Sequence, residues 1–159
     1  MAVNNVQVDT LLDLKAAGLV AASAAGATII DLAGDPSGTS VQGFQGVPVP
    51  EVRGDIVIDI SAIEIASGDE MYTIIAQLSN SATFASGIEE GPAMRFGSKT
   101  PMSGGANGVD GTTGRSFLPF TNVKDGVPYR YLRIYTVCVG TIATGINYTA
   151  RLSKTANMC

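Results

Sequence analysis

The sequence predicts a mainly β protein: a two-layer antiparallel β-sandwich, jelly-roll-like, with a short N-terminal arm or helix. Alternating apolar and polar residues recur along the chain, most clearly over 55–65, 70–79, 128–139 and 141–152. Turns rich in Gly, Pro, Asn and Asp separate these runs at sandwich-like spacings, giving about seven or eight strands. The 159 residues, which show no internal repeat, suffice for one core without disulfide or metal support. We divide the chain into an arm and short helix over 1–26 and a sandwich domain over 27–159.

Residues 1–8 carry no stable pattern and read as an arm. From Asp9 to about Ala22, the spacing of Leu11, Leu12, Leu14, Ala17, Leu19 and Val20 predicts a short helix capped by Asp9 or Thr10, weakened by Gly18. Ala27–Leu32 is a first strand, followed by a turn at Gly34–Gly38 and a Gly/Pro-rich connector to Pro50. Over 55–65, Ile56, Ile58 and Ile60 share one face, then the phase slips by one residue to Ile63 and Ile65. Such a slip marks a β-bulge. Tyr72, Ile74, Ala76 and Leu78 alternate in the next run, and we expect these two runs to pair. Phe84, Met94 and Phe96 are candidate core anchors in shorter segments.

Lys99–Gly114 is a polar, Gly-rich loop that should project from the body. A strand over 115–120 and a turn at Asp125-Gly126 follow. The runs 128–139 and 141–152 read as a terminal hairpin or as two adjacent sandwich strands. In the second, Ile142, Ile146, Tyr148, Ala150 and Leu152 form the apolar face.

Charged residues make up only 15% of the chain and apolar ones 45%, a composition suited to surface covered in an assembly or to a sandwich with neutral turns. The net charge of −4 argues against a nucleic-acid partner. Charge is divided unevenly, −8 over residues 1–80 and +4 over 81–159. Either the asymmetry steers docking between molecules, or the halves interleave and it averages out.

Ala22-Ser23-Ala24 imitates a signal-peptide cleavage site, but Asp9 and Asp13 interrupt the apolar stretch and no basic residue precedes Lys15. We therefore expect no export signal, and no segment reaches the ~20 apolar residues of a membrane span. Cys138 reads as a small buried hydrophobe and Cys159 as a terminal thiol, with a bridge between them left open. A reducing compartment fits this usage.

Histidine is absent, which removes Ser-His and Cys-His catalysis and nearly every catalytic zinc site. The pair Asp55 and Asp59 shares a strand face, as a carboxylate hydrolase would need, but exposed acids keeping a strand soluble is the preferred reading. Asp69-Glu70 lacks the interleaved ligands of a calcium loop, Gly104–Gly108 lacks a phosphate-loop ending, and Arg53-Gly54-Asp55 reads as a turn entering a strand. Neither an enzyme nor a cofactor is expected. In Tyr129–Tyr135, strand alternation places Tyr129, Tyr131, Arg133 and Tyr135 on one face. Arg stems covering tyrosine rings is the first reading, and a protein-interface anchor the second. Together with Leu11, Leu12, Leu14 and Leu19 these four are the candidate interface residues.

Three segments carry a more specific likeness: TLLDLKAAGLV at 10–20, SGDE at 67–70 running to LSNSATF at 78–84, and YRYLRIY at 129–135 running to TGINYTA at 144–150. Together they resemble the capsid cement proteins of short-tailed bacteriophages, the group related to the Bordetella phage cement protein. The likeness is spread over most of the chain. Neither the 99–114 loop nor the 34–50 connector takes part in it. It implies a β-sandwich on the outside of an icosahedral head, made in the host cytoplasm and bridging copies of the major capsid protein. It also implies self-association, a homodimer first and a trimer second, and it transfers no catalytic residue. The alternative is a fibre or head-spike module that contacts a host glycan through the 99–114 loop.

Overall fold

The computed structural model describes residues 12–33, 49–97 and 113–154. The expected arm with Leu11, the 34–48 part of the connector, residues 99–112 of the projecting loop and Cys159 lie outside the described residues. Twelve strands are described: β1 (Asp13–Lys15), β2 (Leu19–Val20), β3 (Ala24–Ala25), β4 (Ile30–Asp31), β5 (Arg53–Ile63), β6 (Met71–Ser79), β7 (Glu89–Gly97), β8 (Gly114–Thr121), β9 (Val123–Lys124), β10 (Val127–Pro128), β11 (Tyr131–Val139) and β12 (Ile146–Lys154).

Ten of them form two antiparallel sheets packed face to face, as expected, and β9 and β10 pair as a separate two-stranded ribbon. Sheet one runs β1-β12-β5-β8 with β2 also on β12; sheet two runs β3-β11-β6-β7 with β4 also on β11. The pairings are nested: β1 and β2 on β12, β3 and β4 on β11, β5 on β8, β6 on β7. The chain is thus one long antiparallel ribbon, turned back between β6 and β7 and rolled so that successive lengths fall in opposite sheets. This is jelly-roll winding.

Inward residues alternate as the sequence predicts. Ile56, Ile58, Ile60, Leu118, Ile146, Tyr148 and Leu152 of sheet one meet Tyr72, Ile74, Leu78, Phe96, Leu132 and Ile134 of sheet two. The predicted bulge is present: Ala62 pairs Asn147 and Ile60 pairs Tyr148, leaving Ser61 over. Its hydroxyl bonds the Asn147 carbonyl at 3.2 Å.

Two expected pairings are corrected. β5 does not pair with β6, nor β11 with β12; each lies in the opposite sheet from its successor. Alternation marks which face of a strand is buried, and facing strands and neighbouring strands satisfy it equally. The expected helix over 9–22 is also corrected over its described part, residues 12–22, which holds β1 and β2 and no α-helix. Leu14 is fully buried in the common core, while β1 to β4 lie along the edges of β12 and β11. Those edges offer unpaired backbone groups, and the segment satisfies them as strand better than a short Gly-containing helix could. Gly26 marks the crossing: its N–H bonds the Ile134 carbonyl at 2.7 Å, and a Cβ there would lie 3.0 Å from the Leu14 carbonyl.

The nested ribbon also accounts for the uneven charge. Asp13 and Asp59 lie directly opposite Arg151 and Arg115, and Asp31 pairs with Arg130. These three of the five described ion pairs, at 2.6–2.7 Å, join the acidic first half to the basic second half, while Arg53–Glu51 and Lys124–Glu89 each lie within one half. The halves interleave.

Candidate functional site

The Tyr/Arg segment occupies the outer side of sheet two. Leu132 and Ile134 point inward and are fully buried, so Tyr131, Arg133 and Tyr135 face outward, half-buried. Tyr129 departs from this face. The strand begins only at Tyr131, and Tyr129 packs against the core, its N–H bonded to the Asn122 carbonyl at 2.9 Å.

Arginine–aromatic packing is present in two places. The Arg130 guanidinium lies 5.2 Å from the Tyr131 ring centre, and that of Arg133 lies 4.3 Å from Phe84. Arg133 also donates to Gln77 at 2.9 Å. Ile75, Gln77 and Ser79 share this outward side of β6, yet each is at most 7% exposed. The connection after β6 is tied back to it where the Ser79 hydroxyl donates to the Ser86 carbonyl at 3.0 Å, and its buried Phe84, at φ 53°, covers the Arg133 guanidinium that bonds Gln77. Phe84 is buried, but the expectation that it anchors the core is corrected: it lies on this outer side and outside the main core, to which Phe96 and, in part, Met94 belong. Further along the same side of β11, Tyr135 and Val137 are half-buried and Val139 is exposed.

The leucines separate. Leu14 belongs to the core and is no surface residue, Leu12 packs partly against that core, and Leu19 is 61% exposed. Leu19 borders an open depression of about 420 Å³ with Ala62, Ile63, Ile65 and Ala66, at the sandwich end holding the 64–70 and 140–145 connections. Val139, at the same end, is 48% exposed, and Phe117 stands exposed on the outer side of sheet one.

The carboxylates have structural partners. Asp59 accepts from Arg115 Nε at 2.6 Å and Nη2 at 2.9 Å, and this bond holds its carboxyl below the usual range. A general acid needs the opposite shift. Asp69 accepts from the Thr141 amide and hydroxyl. Glu70, fully buried, accepts from the amides of Ser67 at 2.6 Å and Gly68 at 2.8 Å. Burial acts to raise its pKa, but the amides of Ser67, Glu70 itself and Gly68 outweigh it and hold the group low. Arg53-Gly54-Asp55 lies within β5, with Gly54 buried and Arg53 paired to Glu51, so the tripeptide is not displayed on a loop.

No protein-family model matches the chain, and the curated proteins contain no match to it.

Three groups escaped the sequence reading. Asn122 is fully buried: Oδ1 accepts from the Val52 amide at 2.7 Å, and Nδ2 donates to the Pro50 and Tyr129 carbonyls at 2.9 Å. Lys15 uses its ammonium on the carbonyls of Ala16, Gly18 and Tyr148, each at 3.0 Å, and burial lowers its pKa. The Glu64 carboxylate accepts from the amides of Ala143, Thr144 and Gly145, and the Gly145 amide above all keeps it ionised to lower pH. Asn122 and Lys15 give no sequence signal, because what they hold is backbone distant in sequence. Cys138 is a partly buried free thiol 3.8 Å from the Val20 carbonyl, its pKa raised by burial.

Proposed function

We propose that this chain is a structural virion protein that binds the outside of an icosahedral phage head and stabilises the mature lattice by bridging major capsid subunits. Copies associate with one another on that surface, as a homodimer or a trimer. The observation that carries the reading is how the fold disposes of charge. Acids and bases of the two halves neutralise each other within the sheets, and the carboxylates at one end are bound to backbone amides. Neutral and apolar groups, Leu19, Phe117 and Val139 among them, are left for contact with protein surfaces. The likeness of the segments at 10–20, 67–84 and 129–150 to phage cement proteins supports the same reading. Binding only the assembled lattice would stabilise it by mass action, and repeated attachment would sum modest contacts.

The test uses mature heads stripped of this protein. Purified chain should co-sediment with them and raise the temperature at which they release DNA. Heads that neither retain the protein nor gain thermal stability would refute the proposal.

A further inference from the structure

The two ends of the sandwich are fastened by different chemistry. At the end holding β9 and β10, the fastenings include the Asn122 amide and the Asn80 side chain on the Arg130 amide, and two carboxylates there, Asp31 and Glu89, are paired with Arg130 and Lys124. At the other end three carboxylates hold two turns. Glu70 binds the amides of Ser67 and Gly68, Asp69 binds Thr141, and Glu64 binds the amides of Ala143, Thr144 and Gly145 and the Thr144 hydroxyl. Successive amides over 143–145, with Gly145 at φ +89°, form a backbone nest of the kind that takes an anion. Here the anion is the protein's own side chain.

From this geometry we infer that the chain carries an acid-operated latch: protonating Glu64 and Glu70 releases the 65–70 and 140–145 connections together while the packed sheets stay closed.

The mechanism follows from donor counting. The protein groups bonded to the Glu70 carboxylate are backbone N–H groups, and those bonded to Glu64 are three N–H groups and one hydroxyl. A carboxylic acid brings a further donor into a site already filled with donors, so a proton removes acceptor capacity and adds a clash. The turns respond as a unit because they interlock. A Cβ at Gly140 would collide with the Asp69 carbonyl, and one at Gly97 with the Glu70 carbonyl, so the ends of β11 and β7 both rest on the 69–70 backbone.

No described lysine or arginine forms an ion pair with the three acids. The other titratable groups facing them are Tyr72, whose hydroxyl donates to the Glu64 carbonyl at 3.2 Å, and Cys138; burial raises both, so they stay neutral throughout the acid range. Glu64 and Glu70 have folded pKa values below the ordinary glutamate value. Their contribution is therefore complete above about pH 4.3, the unfolded value, and is lost as pH falls through the folded one.

Amide hydrogen exchange on the intact chain between pH 7 and pH 3 tests the latch, with rates corrected for intrinsic pH dependence. Protection of Ser67, Gly68, Thr144 and Gly145 should fall at least about tenfold in acid, while Gly26, Asn122 and Tyr129 change less than about twofold. Glu64→Gln should reproduce the 144–145 loss at neutral pH, since its amide also adds donors. Uniform loss of protection at both ends, or acid protection equal to that at pH 7, would overturn the inference. So would a folded Glu64→Gln protein with wild-type exchange at 144–145.

Discussion

Asn122 offers the sharpest quantitative test of how the fold is held. Its side chain stands where the 49–52 entry to β5 meets the 129–130 entry to β11, and it joins them through three backbone hydrogen bonds. Replacing it with Leu keeps the approximate volume and removes all three. The Val52 amide is then orphaned in a buried site, and the Pro50 and Tyr129 carbonyls lose a donor in partly buried ones. A full penalty for the first and partial ones for the others come to about 4 kcal/mol. For a domain of this size that lowers Tm by roughly 8–16 °C. Asn122→Asp separates hydrogen bonding from packing. Its carboxylate still accepts from Val52 but turns a second oxygen onto two carbonyls. Burial and those carbonyls favour the neutral acid, so the folded pKa lies above the unfolded value of about 3.9. The extra cost relative to wild type is then smallest below that value and grows as pH rises through the folded pKa. Urea denaturation of the three proteins at pH 4 and pH 7 measures both effects. A Leu variant within about 1 kcal/mol of wild type, or an Asp variant whose deficit ignores pH, would refute the reasoning.

The Thr136 and Tyr148 hydroxyls meet at 2.6 Å between the two sheets, so a Thr136→Val/Tyr148→Phe cycle should show coupling of about 1 kcal/mol, with the double variant less damaged than the sum of the singles. Burial pushes Tyr72 and Tyr148 up to about 12, above the ordinary value near 10. Their contribution is complete below pH 10 and lost as pH rises to 12, so the urea midpoint should fall over that interval together with the appearance of tyrosinate absorbance. Reversing one partner of the exposed Asp59–Arg115 pair should cost up to about 1 kcal/mol in chemical denaturation, and reversing both should recover only part, because Arg151 also acts on position 59.

Much of the fold was legible in single strands. Alternation located β5, β6, β11 and β12, and the phase slip after Ser61 located the bulge, because both are local properties of a pleated chain. Pairing was not legible, since alternation leaves the neighbour unspecified. Two signals could have narrowed it. Pro92 and Pro119 mark β7 and β8 as edge strands, which a residue without an N–H tolerates best. The opposite charge of the two halves marked them as partners. At the candidate face, Tyr131, Arg133 and Tyr135 were grouped correctly by period, while Tyr129 was misplaced because the strand starts two residues later. Leu14 carries the same chemistry as Leu19, yet one is fully buried and the other 61% exposed. Only the path of the edge strands decides between them.

That path also bears on why the sandwich stays closed with so few charges on its surface. An edge strand normally repels further strands with lysines or inward-pointing charge. Here one side of both sheets is sealed by the chain's own residues 13–31, whose four short strands pair with β12 and β11 in turn. The opposite edges, β7 and β8, are interrupted by Pro92 at a bulge and by Pro119. Among the described residues the edges are thus two- or three-residue strands on one side and Pro-containing strands on the other, which limits backbone pairing with other molecules by geometry more than by charge. The surface can remain neutral, available for side-chain contact, without inviting uncontrolled sheet growth. Both properties are what the proposed role, covering other protein surfaces many times over, would require at once.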